Sequence, residues 1–294
     1  MKFSWIILPV FFHLGAAAQP YFDVANIQYQ LSPDASLYGK NRTPLEIRNL
    51  SAGINLPVKV FKSDVILLNP SFEYNGLDLH HGVSHDHDLY GASFALSYVK
   101  QWKKPEWKTV LVSVNRINSH LQQVTVNHYQ PGGAVLMIYE RSKKIRYKLG
   151  IYYNAEFFGA FVLPLAGVDW MISDRLILHG IVPRNLTLEY KLTPFLYVGA
   201  GWKAVTSSYR YASAHPHDYI KIEENQFRLF TDIYASNRIV CNFEAGHSLL
   251  RKYNKRSEAQ RLAGFSSNLG VNEGWLIKVG LYYRVRLDRE VKPR

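Results

Sequence analysis

Residues 79–91 read LHHGVSHDHDLYG, placing His80, His81, His85, His87, Asp86 and Asp88 within nine consecutive positions. Imidazole nitrogens with carboxylates can ligate zinc, copper or nickel, and histidine can also move a proton near neutral pH. A second short cluster, His215-Pro216-His217-Asp218, carries the same residue types. His81 and His85 stand four apart, but nothing marks either stretch as helical, so composition alone singles them out. As they stand they fit a solvated, pH-sensitive surface loop, and no metal, cofactor or catalytic residue is assigned to them.

What positions those clusters begins with the N-terminus. MKFSWIILPVFFHLGAAAQP has a positive Lys2, an apolar run from Phe3 to Leu14, and small residues Ala16–Ala18. This is secretory signal anatomy, and the apolar run is short for a membrane span. Residues 1–18 are therefore expected to be a signal peptide and 19–294 one domain. No later run approaches the ~20 apolar residues of a spanning helix. The single cysteine, Cys241, cannot close an internal disulfide. The formal charge of +12 would suit nucleic acid, but an exported chain meets anionic headgroups or solutes instead.

Apolar residues alternate with period two through LSAGINLPVKV, IRYKLGIYY and WLIKVGLYYRVRL. That period marks strands with unlike faces, and these strands exceed the five or six residues usual in soluble sheets. Short turns (61–64, 103–106, 141–144, 172–175, 192–194, 235–238) alternate with connections that are mostly long (32–44, 75–91, 116–132, 155–163, 207–219, 251–273), VPRN at 182–185 being a short exception. The alternation predicts about fourteen strands (12–14), at 22–31, 45–61, 64–74, 91–102, 107–116, 133–141, 145–154, 164–172, 175–181, 185–192, 195–207, 219–233, 238–250 and 274–287. The expected fold is all-β: a closed, antiparallel, up-and-down transmembrane barrel with short periplasmic turns and longer outer loops. Pro57 and Pro70 fall inside expected strands, where proline interrupts a ladder.

A soluble sandwich would also alternate, but its strands would be shorter and its apolar face inward. Here charges occupy one face mid-strand and aliphatics the other. Trp102, Trp107, Tyr147, Tyr153, Trp170, Trp275 and Tyr283 lie near expected strand ends, where interfacial girdles form. KVGLYYRV (278–285) resembles the C-terminal sorting signal of outer-membrane barrels, which implies delivery by the barrel-assembly machinery; LDREVKPR then departs from it by extending the chain. Leu163-Pro164-Leu165-x-Gly167-x-Asp169-Trp170, Leu186-x-Leu188-Glu189-Tyr190-Lys191 and Tyr197-x-Gly199 resemble a Bacteroidetes-type family of outer-membrane barrels that carries the label of a domain of unknown function. The resemblance implies fold and location, and transfers no catalytic residue.

If aliphatics face lipid, the lumen is lined by Lys59, Arg146, Lys148, Lys191, Lys203, Arg228, Lys278, Arg284 and Arg286, opposed by Glu189, Asp232 and Glu244. A basic lumen favours anions in a narrow pore, unless the charges pair and plug it. The basic stretch 251–261 (RKYNKRSEAQR) would face outward as a solvated loop or touch phosphates of lipopolysaccharide. Enzymatic readings are weaker. Outer-membrane lipid hydrolases place His and Ser two apart, whereas His247 and Ser248 are adjacent and face opposite sides of a strand. Rim proteases pair Asp with an Asp-x-His spacing that Asp86-His87-Asp88 and His217-Asp218 lack. The expectation is a monomeric, porin-like, non-enzymatic Gram-negative outer-membrane barrel, a small passive pore or structural protein that needs no cofactor. Surface binding through the His-rich loops, and a rim hydrolase, are the alternatives.

Overall fold

A computed structural model describes residues 20–37, 43–60, 63–79, 88–121, 124–211, 218–256, 267–268 and 270–287. The strands are β1 (Tyr21–Leu37), β2 (Thr43–Ile54), β3 (Leu56–Lys59), β4 (Val65–Leu79), β5 (Leu89–Gln101), β6 (Trp107–Ser119), β7 (Tyr129–Ser142) and β8 (Ile145–Glu156). They continue as β9 (Gly159–Met171), β10 (Leu176–Val182), β11 (Asn185–Lys191), β12 (Leu196–Arg210), β13 (Tyr219–Tyr234), β14 (Ile239–Arg256), β15 (Ser267–Asn268) and β16 (Gly274–Arg286). Successive strands pair antiparallel, β1 pairs with β16, and β16 with β14, so the sheet closes on itself. β2 and β3 share one wall position against β4, and β15 is a short addition beside β14. The result is a closed barrel of fourteen strands.

The two faces differ as the alternation predicts. Leu149 is 65% exposed and Leu229 69%, while their strand neighbours Arg146 and Gln226 are buried inside. An aliphatic surface of this extent is not stable in water but matches hydrocarbon. Aromatics rim it: Trp107 packs on Tyr139 near the periplasmic turns, and His247 meets Trp275 edge-on toward the outer end. A closed barrel with such a belt belongs in the outer membrane. Among the described residues no helix is long and apolar enough to cross a bilayer.

Several strands run further than their alternation indicates. β1 extends to Leu37, β4 to Leu79 and β14 to Arg256, and the expected loop 155–163 is a tight hairpin between β8 and β9. Above the bilayer the outer face no longer needs apolar residues, so the sequence signal stops while the ladder continues. Prolines mark the irregularities. Pro70 lies opposite the break at Asn55, because β2 ends its register at Gly53–Ser71 and β3 resumes at Leu56–Leu68. Side chains close that break: Asn55 Nδ2 donates to Asp23 O (2.8 Å), and Asn69 Nδ2 to Ile54 O (3.0 Å). Pro57 sits in β3, which pairs on one side only.

At the periplasmic turn before β4, Asp64 accepts from Tyr98 Oη (2.6 Å), Lys100 Nζ (2.9 Å) and Gln101 N (3.1 Å). The Tyr98 hydrogen bond, then that from Lys100, holds its carboxyl below the usual range. Because the folded value is depressed, the stabilisation is present above the unfolded value near ~4 and is lost as pH falls through the folded one. Asp64→Asn should flatten the acid limb of a urea-midpoint-versus-pH curve below about pH 4. On the lipid face, Leu149→Arg should cost about 2–4 kcal/mol in bilayer refolding titrations, as expected for arginine near the midplane.

Candidate functional site

The inward face carries far more paired charge than open basic surface. Near the periplasmic end, Arg284 on β16 binds Asp23 on β1 and Asp232 on β13, the latter at 2.5 Å. Asn242, between them on β14, donates to Asp232 at 2.7 Å. Arg286 crosses further, reaching Glu189 on β11 at 2.8 Å. Tyrosine rings fill the remaining space: Tyr21 lies 3.6 Å below the Arg284 guanidinium, and Tyr197 lies 4.1 Å from Arg286. Tyr21 also meets His179 edge-on at 5.5 Å. Since β1 and β10 are nearly opposite in the ring, this contact spans the lumen. The periplasmic end is plugged.

The outer end is closed differently. An apolar cluster of inward residues includes Leu45, Ile47, Leu77, Leu89, Ile220 and Tyr253. β12 leans across the barrel to meet it. Asn75 on β4 donates to Tyr209 Oη at 3.1 Å, and Asn118 on β6 donates to Ser208 O at 2.9 Å. The Ser208 hydroxyl donates to Glu156 (2.6 Å) and accepts from Gln130 (3.0 Å) and from the Phe157 amide (3.0 Å). The outer closure combines this apolar cluster with a buried polar network of Asn75, Asn118, Gln130, Ser208 and Glu156, the last paired with Arg116 at 3.4 Å.

Between the plugs lie further pairs. Lys278 binds Glu244 (2.9 Å) and Gln28 (2.8 Å), Arg228 binds Glu244 (2.5 Å), and Lys148 binds Asp169 (2.6 Å). Arg146 is buried and stands beside Glu140 and Asp169 across its two ladders. Lys59 is exposed at the periplasmic end opposite Val65, and Lys191 is half-buried opposite Tyr197. Lys203 is the exception in the middle. It sits on the inward face opposite Asn185 and Gln226, is exposed, and has no ionic or hydrogen-bonding partner among the described residues.

Inward carboxylates beyond the three expected from sequence change the balance. Asp23, Glu73, Glu156, Asp169 and Glu224 all point inside, joined by Arg116 and Arg251. For Glu73, Glu156 and Glu224 the spacing of two from Asn75, Asn154 and Gln226 was the available signal, whereas Asp23 is out of phase with Gln28 because the register shifts between Asp23 and Ala25. Arg251, expected in a solvated basic loop, is instead buried in β14, where its guanidinium reaches Glu224 (3.2 Å) and Ser32 (3.1 Å). A register shift at Glu223/Asn225 on the facing strand and a positive φ at Leu250 turn it inward. His247 faces outward and Ser248 inward to Glu224 at 2.7 Å, so they share no site. His80, His81, His85, Asp86, His87, His215, Pro216 and His217 lie outside the described residues. Asp88 accepts from Tyr74 (2.9 Å), and Asp218 accepts from Tyr211 (3.3 Å).

The family model described as Domain of unknown function (DUF6268) matches residues 34–285. The chain belongs to that family. No curated protein matches this family member's sequence. Among solved structures, it resembles an outer membrane channel from Pseudomonas putida F1 at 10% identity and TM-score 0.48, covering 90% of this chain and 95% of that one. The NanC porin is similar at 6% identity and TM-score 0.40, covering 88% and 98%. The translocator domain of the NalP autotransporter from Neisseria meningitidis follows at 11% identity and TM-score 0.34, covering 89% and 88%. None of these likenesses assigns a solute to this family member.

Removing Arg284 leaves buried Asp232 and half-buried Asp23 without their cation, a loss of up to about 3–5 kcal/mol for a broken buried pair. Arg284→Ala should therefore lower the urea midpoint of the refolded barrel markedly. Lys59→Ala, at an exposed position with no partner among the described residues, should change it by no more than about 0.5 kcal/mol.

Proposed function

We propose that this protein is a passive, non-enzymatic outer-membrane pore of small bore, shut at rest by its two plugs and selective for anions when open. The carrying observation is Lys203, a solvent-accessible cation with no ionic or hydrogen-bonding partner among the described residues, placed between closures in which most other inward charges are paired. In a narrow lumen one uncompensated charge sets the sign of the local potential. The small inward residues Ser93, Ala95 and Ser97 on β5 and Gly132 and Ala134 on β7 leave room on the facing walls. An ionic plug suits rare opening, because its carboxylate partners can be exchanged for water. The charges inside are mostly paired, so the preference for anions is weaker than a lumen of nine free cations would give.

The test is planar-bilayer recording of the refolded protein in a potassium chloride gradient. Wild type should give infrequent small steps with a reversal potential on the anion side. Tyr21→Ala, which removes the ring that spans the lumen, should raise the open fraction, and Lys203→Glu should move the reversal potential toward cations. Silence from both wild type and Tyr21→Ala would reject a pore and leave a structural barrel. Steps whose reversal potential ignores Lys203→Glu would reject the anion site.

A further inference from the structure

The barrel wall has a window. β10 and β11 are seven-residue strands, whereas β9 has 13 residues and β12 has 15. β9 pairs with β10 only over Ala166–Met171, and β12 pairs with β11 only over Tyr197–Lys203. At the Val182–Asn185 turn Ala204 N still donates to Arg184 O (3.0 Å); above it, residues 160–165 of β9 and 205–207 of β12 have no ladder partner on these sides among the described residues. The β12 side of this opening is about 10 Å of strand. Its upper edge is the β8–β9 turn, pinned to Ser208 through Phe157 N and Glu156, with Arg210 over the Phe157 ring at 4.2 Å.

The sequence accommodates this edge. Met171 N bonds Lys144 O and Ile172 N bonds Leu176 O, so odd residues of β9 address β8 and even ones address β10. Pro164 is even, and its missing N–H falls on the side where no strand follows. Proline within a sheet belongs on such an open edge.

The register sets the height of the window. From Ile181 the paired row runs through Gly167, Lys148, Ile138 and Lys108 to Gln101 at a periplasmic turn. From Leu186 the row runs through Trp202, Phe227 and His247 to Trp275 at the outer end of β16. The hairpin tip therefore stands midway between the two girdles, and the window opens to the outer leaflet. An unpaired backbone edge is tolerated at that depth only where it is buried in protein or lines a water-filled cavity.

Inside the window the inward side chains of β9 are Phe161, Leu163 and Leu165, all half-buried, with Val205 of β12 facing them. Lys203 lies just below, and exposed Arg184 occupies the tip of the hairpin within electrostatic range of Lys203 and Tyr152. The carboxylates in range of Lys203 are already engaged, Glu73 by Asn49 and Asn75, and Glu224 by Arg251 and Ser248. An arginine at mid-bilayer depth requires water or an anionic partner.

We propose that this window is a binding site for a single-chain anionic amphiphile, whose acyl chain enters from the outer leaflet against Phe161, Leu163, Leu165 and Val205 while its carboxylate or phosphate sits between Lys203 and Arg184. This site goes beyond the pore reading but shares Lys203 with it. Binding is measured without current, so the two readings fail separately.

The test is equilibrium binding of radiolabelled palmitate to the barrel in nanodiscs of neutral phosphatidylcholine, alongside hexadecanol and a lysophosphatidate. Palmitate should bind saturably, with hexadecanol at least about tenfold weaker, as expected for the loss of a partly desolvated charge pair. The double variant Lys203→Met/Arg184→Met should lose that tenfold advantage, and Leu163→Trp should block both ligands. Leu229→Trp, on the lipid face, should change nothing. If Leu163→Trp fails to give the heat-shifted folded band, Val205→Phe fills the same space. Tighter lysophosphatidate would assign the head group to a membrane lipid, and tighter palmitate to a free fatty acid. Binding that is unsaturable, equal for acid and alcohol, or unaffected by both filling variants would overturn the site.

Discussion

A backbone amide in hydrocarbon has no water to bond, and the whole fold follows from that constraint. Closure of β1 onto β16 removes both sheet edges at once. Where the ladder lapses, the chain supplies a substitute. At the β2–β3 break, Asn55 and Asn69 side chains take over from the backbone, opposite a proline that has no N–H to satisfy. At the window, Pro164 again removes a donor from the open edge. At these two places a lipid-facing proline stands beside interrupted pairing.

The second constraint acts inside. Charges removed from water need partners, and the lumen is narrow enough that most find them across the ring. Arg284 and Arg286 knit β1, β11, β13 and β16 together with Asp23, Asp232 and Glu189, while tyrosine faces cover the guanidinium planes. The outer end reaches closure through an apolar cluster joined to a buried polar network, in which one serine bonds three neighbours and Arg116 pairs with Glu156. Lys203 remains single because water reaches it, which is why the mid-lumen differs chemically from both ends.

Much of the architecture was legible from the chain. Alternation in LSAGINLPVKV and WLIKVGLYYRVRL assigns each residue to lipid or lumen, and the turn spacing yields fourteen strands. The short VPRN connection also pointed to the short hairpin, although its consequence for the wall did not follow from length alone. Strand ends were less legible, since Ser32–Leu37 and Asn75–Leu79 leave the bilayer and lose the apolar pattern while keeping their pairing. Arg251 was misplaced for a related reason: a bulge and a positive φ shift parity, which simple alternation cannot register.

The sequence by itself determined which face side chains take along the regular, lipid-spanning stretches and that the sheet must close, because lipid enforces a period of two there; at the bulges parity was lost. Only the tertiary structure decided which inward groups meet. Asn75 and Tyr209 are 134 residues apart, and Arg284 and Asp23 are 261 apart. Tyr21 reaches His179 because the ring sets β1 opposite β10. Partnership across a lumen depends on strand number, tilt and register acting together, and no local pattern encodes that sum. The same holds for the window, which exists only because two short strands stand between two long ones in a wall that must otherwise be continuous.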